Sequence, residues 1–444
     1  MDYDAAPAQM LRAGPLTLKF ADGELRYLHA GGREIVRRIY FAVRDHRWDT
    51  AMPRFSVLRV EKGGDSFEIE LAADCRTATA DYSWRGRITG TAEGVLTFEA
   101  DGVANRDFGS NRIGLCVLFG SDSLAGQAFA TAGESGERAG EFPRLVAPAL
   151  VAEKFRELRY TTASGVTVCA RMSGAVFDME DQRNYGDSSF KAYAPLPYAY
   201  PAVAAGSSAS QILRLAVEGA ARAPLGAAET RVRIGGIIAG ARIPKLAETA
   251  PGTREVDFFA VNTHRAAHAA VRRLQFAFNP ALHLPDDDTF MENPSALPDM
   301  VRTARIIAPG ATIRIDPITF DSQHPRPARD PRNASQFGAV WSALVVKYLA
   351  LAGVGEAAFA IDGEPARAVL RELAAFAGCA VRETVVAAEG RAPVEALAID
   401  DSPGVRLWLM NTTDLPQRVR LSDGDIFTQV ELAPHEIWRG NRAR

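Results

Sequence analysis

The hydrophobic rhythm of the chain changes near residue 231, and that change limits the fold more than any other feature. Before it, residues 14 to about 220 read as short strands separated by turns. Phe55–Val60 and Ser66–Leu71 flank the turn Glu61-Lys62-Gly63-Gly64-Asp65, and Tyr82–Gly90 meets Val95–Ala100 across Thr91-Ala92-Glu93-Gly94. Arg112–Phe119 is almost continuously apolar, as expected of a strand buried on both faces. Many short strands at a spacing of about 8–12 residues build a sandwich or a barrel. The length of this region favours a large two-sheet sandwich.

After residue 231 the order becomes strand, helix, strand. The expected strands are Arg231–Ile238, Val256–Val261, Gln275–Phe278, Thr312–Ile315 and Glu356–Ile361. The expected helices are Ala266–Leu274, Ala296–Ile307, Gln336–Ala352 and Glu364–Gly378. Such alternation makes a parallel sheet with helices outside. A complete eight-unit barrel takes roughly 250 residues, and only about 155 separate Arg231 from Val385. Five or six units fit, so a shortened or incomplete TIM-type (β/α) barrel is expected. From Val394 to Trp438 the pattern returns to β, with Val405–Asn411, Gln417–Leu421 and Phe427–Leu432, and chain from the N-terminal half could complete that small domain. The expected domains are 1–225, a β-sandwich; 226–390, the shortened barrel; and 391–444, a small β-sandwich.

Composition removes several classes of function. Net charge is −3 over 444 residues, without the clustered Lys and Arg that grip phosphate backbones, so no nucleic-acid partner is expected. Cys75, Cys116, Cys169 and Cys379 lie far apart and suggest buried thiols of a reducing compartment, not a metal ribbon. The first residues lack the apolar core of a secretory signal. Phe337–Gly355 is apolar except for Lys347, and a buried helix explains it better than a membrane span. A cytoplasmic protein without a membrane partner is expected. No GxSxG, Walker loop or dinucleotide fingerprint is present, and no cofactor is expected.

Parallel strands present their chemistry at their carboxyl ends. Those ends carry Asn262 and His264, then Asn279, Pro280 and His283 with Asp286, Asp287, Asp288 and Glu292, then Asp316, then Asp362. Asp and Asn at such places also cap helices, and Asp362 fits that role before Glu364-Pro365. His264 and His268 are four apart, but no Glu stands between them, and no metal site is expected. The densest polar stretch is Asp178–Tyr193, with Glu180, Asp181, Arg183, Asn184, Asp187 and Lys191. Such a mixture suits hydroxyls and a carboxylate, or equally an ion-pair network that pins one domain on another. The Pro-rich loop Asp321–Asn333, with His324, Arg326 and Arg329, has the length of a substrate lid.

Phe177–Tyr193 followed by Pro195-Leu196-Pro197 resembles the signature stretch of the D-apionate lactonase family. Phe278–Asp287 with Glu292, Val301–Arg305, Pro317–Thr319, Asp330–Arg332 and Phe337-Gly338 resemble further family motifs, in the family's order. Ala396–Ile437 is similar to the family's closing β domain. The resemblance implies an N-terminal β-supersandwich of the galactose-mutarotase type, followed by a barrel like that of glycoside hydrolases. Family chains are longer, and the comparison puts the difference in the first half of the barrel.

The resemblance implies a hydrolase of carbohydrate metabolism that opens a sugar-acid lactone of the D-apionolactone type, its ligand a small sugar acid or lactone. Water would attack the carbonyl with help from a general base. Glu292, His283 and Asp316 are the candidate catalytic residues. Arg183, Asn184, Glu180, Asp181, Lys191, Asn279 and Asn262 are the candidates for substrate binding. Two alternatives stay open: a catalytically degenerate carbohydrate-binding or interaction protein, and a glycoside hydrolase using a carboxylate pair such as Glu292 and Asp316. An incomplete sheet leaves unpaired edges, which a homodimer would cover.

Overall fold

The computed structural model describes residues 8–196, 202–222, 229–282, 286–321, 329–388, 391–401, 404–423 and 426–443. The chain divides into two compact units. The first comprises 1–144, 149–181 and 189–226; the second comprises 145–148, 182–188 and 227–444.

The first unit is built from two nine-stranded sheets, antiparallel in every recorded pairing. The expected strands are present and longer than their apolar cores: Pro53–Lys62, Phe67–Arg76, Asp81–Gly90, Val95–Ala104 and Phe108–Gly120. Strict alternation sends Ile69, Leu71, Ile88, Leu96 and Phe98 into one core. Trp84 anchors it, stacked on Phe41 with ring centroids 4.7 Å apart. In Phe108–Gly120 the backbone turns at Gly114, whose φ is +143°, and a Cβ there would lie 2.4 Å from the Gln211 amide. Gln211 Oε1 in turn accepts from the Leu115 amide at 2.8 Å. Only glycine fits both demands.

The second unit holds two sheets. The first is parallel, in the order Lys245–Glu248, Glu356–Phe359, Thr312–Ile318, Arg273–Phe278. Its earliest strand lies beside its last. A closed barrel has that seam, so the strand Lys245–Glu248 is a first barrel strand that sequence reasoning passed over. Relative to an eight-stranded barrel, the shortening falls after this strand, and the first half is not wholly lost. A second expectation is corrected nearby. Val256–Val261 is not a strand: Asp257 Oδ1 accepts from the Ala260 amide at 2.6 Å and caps the helix Phe258–Thr263. The segment still touches the sheet, because the Ala277 amide donates to Val256 O at 2.8 Å.

Three longer helices cover the parallel sheet. Leu297–Ile307 and Glu364–Ala374 each begin with Pro in the first turn and bury one face. Gln336–Leu351 is buried almost all round, and each large apolar side chain contributes about 1.5–3 kcal/mol. Its Lys347 is ion-paired with Glu395. No described helix is long and apolar enough to cross a membrane. The expected strand Arg231–Ile238 exists within Thr230–Arg242, but it belongs to the other sheet, parallel to Gln417–Asp423 and antiparallel to Ala380–Ala387. Val394–Asp401, Gly404–Asn411, Ile426–Leu432 and Ile437–Ala443 complete those seven strands. Trp408 Nε1 and Arg439 Nε both reach Glu372, at 3.0 and 2.8 Å, fastening the helix Glu364–Ala374 to this sheet.

Candidate active site

The carboxyl ends of the parallel strands carry a connected polar cluster. Asn279 follows Arg273–Phe278; its Oδ1 accepts from the Ala281 amide at 2.9 Å and its Nδ2 donates to Asp321 O at 3.0 Å. It ties the loops of two neighbouring strands together. Asp321 Oδ1 accepts from the Asp330 amide at 2.9 Å. Asp330 caps the turn Pro331–Ala334 and holds Arg332 through Nε at 2.9 Å and Nη2 at 2.5 Å. Arg332 Nη1 also reaches Asp287 at 2.5 Å, and the guanidinium lies over the Phe290 ring at 4.1 Å.

Glu292 ends the helix Asp287–Glu292, which Asp286 caps through both carboxylate oxygens. Its side chain is only 4 % exposed, and Oε1 lies 3.0 Å from Arg391 Nη1. Next to it Asn293 donates from Nδ2 to Pro280 O at 3.3 Å, while its buried Oδ1 has no hydrogen-bond donor among the described residues. Both side-chain polar atoms of buried Asn333 are likewise without partners among the described residues. Asn333 O would meet a Cβ on Gly363 at 1.8 Å, so the loop after Glu356–Phe359 packs directly on this turn. Asp362 is ion-paired with Arg329 and does not cap the following helix; Gly363 is its N-cap. His283, His324 and Arg326 lie outside the described residues.

Asp316 sits one step inside the sheet. Thr249 Oγ1 donates to its Oδ1 at 2.9 Å, and Arg314 holds its Oδ2 at 2.9 Å. Arg314 also meets Glu356 at 3.2 Å, and Glu356 meets Arg273 at 2.7 Å. Their alternates Leu274, Phe276, Ile313 and Ile315 enter the apolar core, so the other face of the sheet carries a ladder of charge.

Arg183, Asn184 and Asn262 form a separate group in the second unit. Arg183 is fully buried with Nη1 2.7 Å from Asp299. Asn184 Nδ2 donates to Ala147 O at 2.6 Å. Asn262 Nδ2 donates to Asn184 Oδ1 at 2.7 Å and to Val146 O at 3.1 Å. These contacts spend amides and guanidinium on pinning the segments 145–148 and 182–188 to the helices. No cluster of three or more metal-ligating side chains, around His264 and His268 or elsewhere, occurs among the described residues.

Glu180, Asp181 and Lys191 belong to the first unit. Lys191 Nζ lies 2.7 Å from Glu180 Oε1 on the paired strands Phe177–Asp181 and Ser189–Tyr193. Burial pushes the Lys191 ammonium down to about 8, helped by Arg112 and Arg44 and opposed by Glu180. Burial would raise the Glu180 carboxyl, but Lys191, Arg112 and Arg44 hold it below its ordinary value. Asp181 is buried at the end of its strand. The sequence reading thus named residues of four separate groups. It missed Arg391, Arg332 and Asn333, although the motif Asp330-Pro331-Arg332 was in view.

These parts define a multidomain β plus α/β protein with a TIM-type middle domain. The D-apionate lactonase N-terminal domain matches residues 1–220, the D-apionate lactonase TIM barrel domain matches 251–373, and the C-terminal immunoglobulin-like domain matches 391–439. The chain belongs to the D-apionate lactonase family. It is 33 % identical over 204 residues to a D-apionate lactonase from Brucella anthropi, a match covering 45 % of this chain and 33 % of that protein. Among solved structures it is similar to an aldose epimerase homologue from C. elegans, at 10 % identity and a TM-score of 0.32 over 48 % of this chain and 99 % of that one. A galactose 1-epimerase from Lactobacillus acidophilus is similar at 6 % identity and a TM-score of 0.30, over 46 % and 92 %.

Proposed function

We propose that the chain is a sugar-acid lactonase whose reaction runs at the Glu292–Arg391 pair. A buried carboxylate beside a guanidinium, at the end of the short helix Asp287–Glu292 that follows the parallel strand Arg273–Phe278, is the observation that carries this reading. Family membership supports a carbohydrate hydrolase. Glu292 takes a proton from water as the water oxygen adds to the lactone carbonyl carbon. The carbonyl π electrons move to oxygen, where Arg391 stabilises the charge. Collapse of the adduct breaks the bond to the ring oxygen, which takes the proton back from Glu292. The product is an open-chain hydroxy acid. Asn293 and Asn333 supply amide groups for substrate hydroxyls, and Asn279 keeps the surrounding loops in register. D-Apionolactone is the proposed substrate type.

Proton release from aldonolactones, D-apionolactone included, tests this reading. Glu292→Gln is expected to lose about 100-fold or more in turnover. Equal rates in the folded variant would remove Glu292, and His283→Asn would then test the other candidate base. A parallel sheet of four described strands favours a second reading, a non-catalytic carbohydrate-binding protein. Folded wild-type protein that binds but does not hydrolyse any lactone would establish that instead.

A further inference from the structure

The sheet of the first unit that contains Arg33–Asp45 and Phe108–Gly120 has two different faces. Ile39, Phe41 and Val43, with Ile113, Leu115, Val117 and Phe119, enter the apolar core. The opposite alternates are Arg38, Tyr40 and Arg44 on one strand and Arg112, Cys116 and Leu118 on the next. Lys191 and Tyr193 follow on the neighbouring strand, then Glu180 and Asp178.

Within this face Arg44 and Arg112 are direct cross-strand partners. Like charges placed so are repulsive, and here both side chains are buried, at 3 % and 4 % exposure. Arg44 Nε and the Nε and Nη1 of Arg112 have no hydrogen-bond acceptor among the described residues. Leaving buried charged donors unsatisfied is costly. The Arg112 guanidinium lies 3.5 Å from the Tyr193 ring centroid and 5.9 Å from that of Trp48, so its plane is held by aromatic rings. The carboxylate of Glu180 is committed to Lys191 at 2.7 Å. Asp178 accepts from the Lys154 amide at 2.8 Å. Arg38, the fourth cation of this face, is paired with Glu24 at 2.5 Å. Arg44, Arg112 and Lys191 are left with the carboxylates of Glu180 and Asp178 on the neighbouring strand, both already engaged.

We propose that Arg44 and Arg112 form a binding site for the carboxylate of a polyhydroxy acid, built from residues of the first unit. The planar guanidinium fork matches a carboxylate in two-point contact. Glu180 accepts from a hydroxyl of the same ligand and repels a dianion, which favours a monoanionic acid over phosphate. The aromatic rings take the C–H face of the polyol.

Calorimetric titration of the full chain with gluconate, inorganic phosphate and sorbitol tests the site. Gluconate is expected to bind, and phosphate and sorbitol to bind at least about tenfold more weakly. Arg112→Gln is expected to weaken gluconate binding by at least about 30-fold, since one partner of a buried charge pair is lost. Arg44→Gln and Arg112→Lys, each confirmed folded by circular dichroism, should weaken it in the same direction. Glu292→Gln should leave it unchanged. Gluconate binding that survives the arginine substitutions but fails in Glu292→Gln would assign the ligand to the other site and overturn the proposal. Absence of gluconate binding, or phosphate binding as tight, would overturn it too. Turnover is not read in any arm, so the lactonase reading stands or falls separately.

Discussion

Arg183 Nη1 lies 2.7 Å from Asp299 Oδ2, with the guanidinium wholly enclosed and the carboxylate shared with Arg302 at 2.6 Å. This pair joins the segment 182–188 to the helix Leu297–Ile307. Removing one partner of a buried pair strands the other charge and costs about 3–5 kcal/mol. Asp299→Ala is therefore expected to lower unfolding stability by about 3 kcal/mol in urea. An unchanged urea midpoint would show that the pair carries no such stability.

Lys347 and Glu395 allow a sharper comparison, because Lys347 is enclosed by apolar helix neighbours. Its long methylene stem already packs there. Lys347→Met should be close to neutral, within about 1 kcal/mol, whereas Glu395→Ala should destabilise more by leaving the ammonium buried without its carboxylate. The ordering of the two melting temperatures decides the matter, and the reverse order would contradict it.

Gly363 has an ordinary φ, so its constraint is space alone. An added methyl would collide with Asn333 O at 1.8 Å and must push the turn Pro331–Ala334 away. Gly363→Ala is expected to cost about 1–3 kcal/mol and, under the lactonase reading, to slow turnover by displacing Arg332 and Asn333. Thermal denaturation with wild-type behaviour would mean that the loop yields freely.

Lys191 gives a pH dependence with a definite sign. Its folded value of about 8 lies below the ordinary 10.5. Between these two pH values the unfolded chain holds more protons than the folded one, so stability rises with pH across that window. Below pH 8 both forms are protonated and the contribution is flat. The difference in unfolding free energy between wild type and Lys191→Met should climb from pH 8 to 10. A difference independent of pH would refute the assignment.

Much of the fold was legible because its signals are local. Alternation in Phe67–Arg76 and Asp81–Gly90, and the Pro-led starts of Leu297–Ile307 and Glu364–Ala374, need no knowledge of distant chain. Val256–Val261 was misread because a short apolar run suits a strand or a helix equally. The deciding signal was the capping Asp257, a single residue. Lys245–Glu248 escaped notice because four residues with two charges carry almost no pattern; only its partner Glu356–Phe359 makes it a strand. At the candidate site, Glu292 and Asn279 were visible as polar residues after an apolar strand. Arg391 was not, since its relation to Glu292 spans about a hundred residues. Arg112 opens a run that reads as a strand buried on both faces, Arg44 carries no signal of its own in the sequence, and only the register of the two strands reveals that they oppose each other.

The pairing of Lys245–Glu248 with Glu356–Phe359 has a consequence for redesign. A sheet that keeps first and last strands side by side has its seam already sewn, and its slack lies in the connection from Thr249 to Asp257. Additional strand–helix units grafted into that connection from a longer relative would extend the sheet from the Arg273–Phe278 edge without unpicking any existing strand pair. The architecture is thus a frame that can be lengthened at one named joint, where the barrel's circumference is an adjustable dimension.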